Sequence, residues 1–252
     1  MKNLRSGLAA PRRAQLSERA LVALLVLLAF ALRAYRLGAQ AIWWDESLSV
    51  YRATQDLATI LANTIPIQNV VTHDLQPPLY FLILHFFVGA FGTSEFALRF
   101  LSLMANIATV PLQYALGRRW FSRRVGVIAA LLGALSPFYV WYAQEARPYA
   151  LVLFFSLLGV YALARAFGTG PGRTQTNPDK NDSNGVRQIL SVSSIWILTY
   201  ILSTIGALYN NYYVVFLIPF HFVLITLLVW RAARARPFIL LPALPTAAAV
   251  FL

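Results

Sequence analysis

Leu79-Tyr80-Phe81-Leu82-Ile83-Leu84-His85-Phe86-Phe87-Val88-Gly89-Ala90-Phe91 is the stretch on which the architecture of this chain turns. It is apolar throughout, but as a helix it would rise only about 20 Å, against a hydrocarbon core of about 30 Å. The Gln76-Pro77-Pro78 that precedes it stops any earlier helix from extending it. Other mostly apolar runs are long enough to cross: 20–37, 100–117, 125–144 and 148–164. The charge-free run 188–230 accommodates two helices about the polar Tyr209-Asn210-Asn211-Tyr212-Tyr213, and 237–252 begins another. Of the 252 residues 59% are hydrophobic, more than one soluble core of this size buries, so a bilayer has to supply the remaining solvent. The expected fold is an all-α integral membrane protein of about seven transmembrane helices.

Charge decides whether Leu79–Phe91 is one of them. If it lies in or beside the interface, one side of the membrane holds Lys2, Arg5, Arg12, Arg13, Arg19, Arg118, Arg119, Arg123, Arg124, Arg165, Arg173, Lys180, Arg187, Arg231, Arg234 and Arg236. The other side holds only Arg33, Arg36, Arg52, Arg99 and Arg147. That 16-to-5 split obeys the positive-inside rule, whereas a crossing segment would reverse every later cluster. The expected organisation is a cytoplasmic basic N-terminus over 1–19 and a transmembrane module over 20–252. Its first outer loop is 38–94 with amphipathic interfacial helices, its second outer loop is 143–148, and a disordered cytoplasmic loop spans 168–187. The net charge of +12 is dispersed in short clusters between apolar runs, which argues topology and against nucleic acid. With no cysteine, disulfides and thiolate metal sites are excluded.

The acidic residues are distributed the opposite way. Asp45, Glu46, Asp56, Asp74, Glu95 and Glu145 fall outside, and Glu18, Asp179 and Asp182 inside. Carboxylates beside a bilayer are costly unless hydrated, paired or functional. Trp43-Trp44-Asp45-Glu46 follows the first helix and reads either as an aromatic belt with solvated acids or as a catalytic pair. Adjacent carboxylates on a helix project about 100° apart, so one of the two serves chemistry and the other orientation or packing. Gln144-Glu145-Ala146-Arg147-Pro148-Tyr149 reads as a tight turn closed by a Glu145–Arg147 ion pair or as an anion site, the planar guanidinium fork matching phosphate oxygens. His73-Asp74 is a weak metal motif, more in keeping with a loop pair.

Taken in order, Trp44-Asp45-Glu46, Asp74 to Tyr80, Phe96-Ala97-Leu98-Arg99, Glu145 to Leu151 and, more weakly, Tyr209 to Tyr213 resemble the membrane glycosyltransferases of family 39 within the GT-C superfamily. That group includes the protein O-mannosyltransferases and the aminoarabinose transferases acting on lipid A. The resemblance implies a sugar transferase drawing its donor from a polyprenyl phosphate on the outer leaflet, with the acidic residue of the first loop as the essential carboxylate. Relatives carry His where this chain has Gln76 and Asn211, which removes a titrating group at both positions. They are also usually longer, which implies truncation at the C-terminus.

The expectation is therefore an inverting glycosyltransferase of the bacterial plasma membrane, its N-terminus cytoplasmic and its active site extracytoplasmic. Asp45 is the general base, with Glu46 the second catalytic candidate. Arg147, Glu145, Tyr149, Asp74 and Tyr80 bind the donor phosphate and sugar, and His73, Gln76 and Asn211 offer polar contacts. No cofactor is demanded by the spacing, although a divalent cation is compatible with it. The partners are the polyprenyl-phosphate sugar, the bilayer and an acceptor whose chemistry the residues leave open. The alternatives are a transporter or flippase of lipid-linked sugars, or an inactive fragment of a longer transferase.

Overall fold

The structure, a computed structural model, describes residues 17–67, 70–167 and 183–234, without the side chains of 183–193 and 231–234. The chain is a bundle of α-helices with a small β-hairpin on one end. Helix α1 (Glu18–Ala34) starts at Ser17, whose hydroxyl accepts the Ala20 N–H. It packs against α5 (Glu95–Trp120) and α6 (Arg123–Leu135) through Leu25, Ala29, Val110, Tyr114, Ala130 and Ala134. Helices α8 (Tyr149–Ala166) and α9 (Ser183–Leu208) form the other large interface, and a 3₁₀ turn (Tyr212–Phe216) leads into α10 (Leu217–Arg234).

Three helices are long and apolar enough to cross a membrane: Glu95–Trp120, Tyr149–Ala166 and Tyr212–Trp230. A fourth crossing is formed if α6 and α7 (Pro137–Ala143), which meet at 56°, count as one broken span. The protein is thus a multi-pass membrane protein with fewer clear spans than seven among the described residues. Helix α1 and the apolar stretch Ser194–Leu208 fall short in length, and the expected span 237–252 lies outside the described residues, as does most of the loop 168–187. Residues 125–144 are not the continuous helix expected, because Pro137 disfavours helical backbone at Ser136 and lacks an N–H of its own. Ser136, at ψ 118°, ends α6 and caps α7 by accepting the Tyr139 N–H.

The break is filled by an arginine. Arg33 is fully buried and has no ion pair among the described residues. Its Nε donates to Asn106 Oδ1 at 2.8 Å, while its terminal nitrogens donate to the carbonyls of Ala29 (3.2 Å), Gly133 (2.8 Å) and Ala134 (3.0 Å). Gly133 and Ala134 lie in the last turn of α6, where carbonyls are unpaired and the helix dipole is negative, so the guanidinium satisfies both. A lysine ammonium cannot reach that spread of acceptors from one point. Arg33→Lys is therefore expected to lower unfolding stability by about 2 kcal/mol, the cost of leaving buried carbonyls unpaired, measurable by denaturant unfolding in detergent micelles.

The expected first outer loop is more structured than a loop with interfacial helices. It contains α2 (Trp44–Ala53), α3 (Leu57–Leu61) and an antiparallel hairpin of β1 (Thr64–Ile67) and β2 (Val70–His73), with Ile65 opposite Thr72. This hairpin replaces the irregular segment foreseen around Pro66, in a fold that is otherwise helical as expected. The apolar run 79–91 is a helix over those same residues, α4, packed on α2 and α5 through the buried Tyr80, Phe81, Leu84 and Leu98.

Candidate active site

Helix α2 carries both carboxylates that follow the first helix, and it turns them to different faces, about 100° apart. Glu46 points inward and is completely buried. Its Oε1 accepts the Arg99 Nε at 2.9 Å and the Ala146 N–H at 2.8 Å, and its Oε2 accepts Arg99 Nη2 at 2.7 Å and the Trp43 N–H at 3.4 Å. Arg99 spends its remaining donors on the carbonyls of Leu37, Gln40 and Ala41. Burial alone would raise the Glu46 pKa, but the bond and charge of Arg99 and the backbone N–H groups outweigh it and hold the carboxyl below the ordinary glutamate range. All four of its stronger acceptor directions are thus committed, and the pair ties α2, α5 and the 144–148 turn together.

Asp45 lies on the other of these faces, and its side chain is 37% exposed. Its Oδ2 lies 3.5 Å from Arg147 Nη2, and its carbonyl accepts Arg147 Nη1 at 3.2 Å. Arg147 pairs with this aspartate and not with Glu145. Glu145 Oε1 instead accepts the Trp141 indole N–H at 2.7 Å. Burial pushes the Glu145 carboxyl up, against the Trp141 bond, and the charge of Glu46 adds to the rise. Arg147 itself is nearly buried, lies over the Tyr149 ring at 5.7 Å and has its carbonyl bound by Ser102 Oγ at 3.2 Å. Its Nε is buried without a hydrogen-bond partner. Tyr80 is fully buried on α4, its hydroxyl beside Ser102 but not within hydrogen-bond geometry of any group.

A second buried arginine organises the other expected residues. Arg52, seven positions beyond Asp45 and hence on the same face of α2, lies 3.6 Å over the Phe81 ring. It donates to Asp74 Oδ2 at 2.5 Å and to Asn63 Oδ1 at 2.7 Å. Asp74 Oδ1 accepts the Gln76 N–H at 3.0 Å, which leaves Asp74 an organiser of the chain before α4. The Gln76 side-chain oxygen is buried and unpartnered. His73 is exposed at the end of β2 opposite Thr64, and Asn211 Oδ1 caps the 3₁₀ turn by accepting the Tyr213 N–H at 2.9 Å. That turn is fastened to α4 by the Leu79 N–H, which donates to the Tyr209 carbonyl at 3.1 Å. Beside it Pro78, Leu208, Tyr209 and Tyr212 line a shallow cavity of about 260 Å³. Among the described residues no three His, Cys, Asp or Glu side chains converge.

Residues 75–173 match the family model described as dolichyl-phosphate-mannose-protein mannosyltransferase. The fold is similar to that of the S. cerevisiae protein O-mannosyltransferase Pmt1–Pmt2 complex, a structure bound to the sugar donor, with a TM-score of 0.61 at 17% identity over 86% of this chain. The chain shares its fold with that membrane mannosyltransferase. It spans 29% of the length of that neighbour's chain. No curated protein matches it. The family match takes in Gln76, Tyr80, Glu145, Arg147 and Tyr149 and begins just after Asp74, so α2 with Asp45 and Glu46 lies outside it.

Sequence reasoning gave no role to Arg33 or Arg52, or to Ser102 and the Ala146 N–H, and it used Arg99 only as part of a motif. The signal was available for the arginines. Of the five placed on the outer side, Arg33, Arg52, Arg99 and Arg147 are all buried. A guanidinium in an apolar setting persists only with partners, so each isolated arginine announced a polar cluster.

Proposed function

We propose that this GT-C module transfers a sugar from a polyprenyl-phosphate donor to an acceptor hydroxyl or amine on the extracytoplasmic face of a bacterial plasma membrane, with inversion at the anomeric carbon. The observation that carries the reading is the Asp45–Arg147 pair, a half-exposed carboxylate 3.5 Å from a buried guanidinium whose Nε is unpartnered. In the reaction the acceptor's lone pair forms the new bond to the anomeric carbon as the bond from that carbon to the phosphate oxygen breaks. The acceptor proton passes to an Asp45 carboxylate oxygen. The donor phosphodiester carries one negative charge and the departing phosphate two, so a cation beside the leaving oxygen binds the transition state better than the ground state. Arg147 supplies that cation, and its 3.5 Å contact with Asp45 is loose enough to be exchanged for phosphate oxygens.

Glu145 and Tyr149 border this position and would meet the sugar. Glu46, Arg99 and Asp74 hold the frame, and Ser102 holds the Arg147 backbone. Transfer from a radiolabelled polyprenyl-phosphate sugar in proteoliposomes tests the reading. Arg147→Ala is expected to cut turnover about a hundredfold, with Arg147→Lys retaining part of it as a point charge without the fork. Unchanged turnover in Arg147→Ala would remove Arg147 from the reaction, and translocation of the sugar lipid without transfer would replace the transferase by a flippase.

A further inference from the structure

The end of the bundle opposite Asp45 carries a second charged surface. Helix α5 runs from beside Glu46 to Trp120, and its 26 residues rise about 39 Å, so the two ends are separated by a bilayer's thickness. At the far end Arg118, Arg119, Arg123 and Arg124 flank the junction of α5 and α6, and Arg118 and Arg123 meet one acid, Glu18 of α1. Glu18 Oε2 accepts from Arg118 Nη1 and, at 3.2 Å, from the Tyr114 hydroxyl, and Oε1 lies 3.4 Å from Arg123 Nε. Arg119 turns inward to the Ala164 carbonyl at 2.9 Å. The single carboxylate holds two arginines in place without neutralising the group. Arg118 and Arg123 remain 54% and 47% exposed, and Arg124 is exposed with no ion pair among the described residues.

The surroundings of this cluster say what it faces. Phe121, between Arg119 and Arg123, is 70% exposed, as suits an aromatic ring at the water–lipid boundary. Directly beyond Arg124, α6 presents Val125, Ile128 and Leu132 on one exposed face, with Leu24, Leu27 and Leu28 of α1 exposed nearby along the same bundle. A ligand bound at the arginines would therefore have its headgroup among guanidinium forks and its tails along an unbroken apolar face.

We infer that the Arg118–Arg124 end of α5 and α6 is a binding surface for an anionic phospholipid, its phosphate held by Arg123 and Arg124 and its acyl chains lying along Val125, Ile128 and Leu132. A soluble phosphate would use the arginines but gain nothing from the apolar face. A protein partner would have to displace lipid from it. The surface is independent of the transfer reaction.

The test is native mass spectrometry of the purified chain titrated with phosphatidylglycerol and with phosphatidylcholine of matched acyl chains. Wild type is expected to retain the anionic lipid preferentially, and Arg123→Gln with Arg124→Gln to lose that preference by roughly fivefold per arginine. In case the double variant folds poorly, wild type in high salt provides the second measurement, where screening should collapse the preference while phosphatidylcholine retention stays constant. Equal retention of both lipids by wild type, or an unaltered preference in a folded double variant, overturns the proposal. So does displacement of the lipid by millimolar glycerol phosphate, which would make this a soluble-phosphate site.

Discussion

Asp45→Asn is expected to lower sugar transfer by about 10²–10⁴-fold while leaving the protein folded. The amide keeps the size of the side chain and can still accept from Arg147, so the half-exposed position on α2 is not disturbed. On the proposed reading it loses the ability to take the acceptor's proton and the negative charge that would stabilise developing positive charge on the sugar ring. The loss should therefore appear in kcat at saturating donor, with donor affinity little changed or improved, because Arg147 no longer has a charged competitor for the phosphate. An Asp45→Asn protein with wild-type kcat would remove Asp45 from the role of base.

The adjacent substitution is expected to fail in a different way. Glu46→Gln replaces the carboxylate that Arg99 grips with two bonds, at 2.9 and 2.7 Å, inside a fully buried site. Breaking a buried pair from one side leaves an uncompensated charge, which costs about 3–5 kcal/mol. The amide keeps one oxygen for the Ala146 N–H but turns an NH2 toward Arg99 Nη2 and the Trp43 N–H, which loosens the clamp on the 144–148 turn that carries Arg147. Thermal or denaturant unfolding should report the change directly, and activity should fall with the folded fraction.

The same carboxyl fixes the direction of pH dependence. Its folded pKa lies below the ordinary 4.5, so its contribution is fully present above about pH 4.5 and is lost as pH falls through the lower folded value. Glu46→Gln should abolish that portion of the acid transition. A variant as stable as wild type, with an unchanged acid limb, would contradict the burial seen here. Two neighbouring acids thus have separate predicted phenotypes, one catalytic and one structural.

That separation was partly legible in the residues. Adjacent positions on a helix must diverge, so one of Asp45 and Glu46 had to face inward, but nothing local says which. The partner that decides it, Arg99, lies 53 positions away and enters only through packing of α5 on α2. Helix α4 was readable to the residue because proline bounds it on one side and Gly92, at φ 83°, on the other. The hairpin was missed although Thr64-Ile65-Pro66-Ile67 and Val70-Val71-Thr72 are rich in β-branched residues, since each run is too short to show alternation. Residues 125–144 read as one span by total apolarity alone, and Ser136-Pro137 is the pair that breaks it. Of the two readings of the 144–149 turn, the Glu145–Arg147 pair rests on sequence proximity, and Asp45 takes the place of Glu145 once α2 is folded against the turn.

Helix α2 is clamped near one end by Glu46–Arg99 and at the other by Arg52–Asp74, with Asp45 next to the first clamp. A helix fixed so firmly at both ends behaves as a wall, and its amides should exchange with solvent as slowly as those of α5. The give needed to admit a bulky lipid sugar then falls to the facing side, where the Tyr209 carbonyl meets Leu79 through a neutral backbone hydrogen bond. On the proposed reading the base belongs to the doorframe, and the 209–216 turn is expected to act as the door.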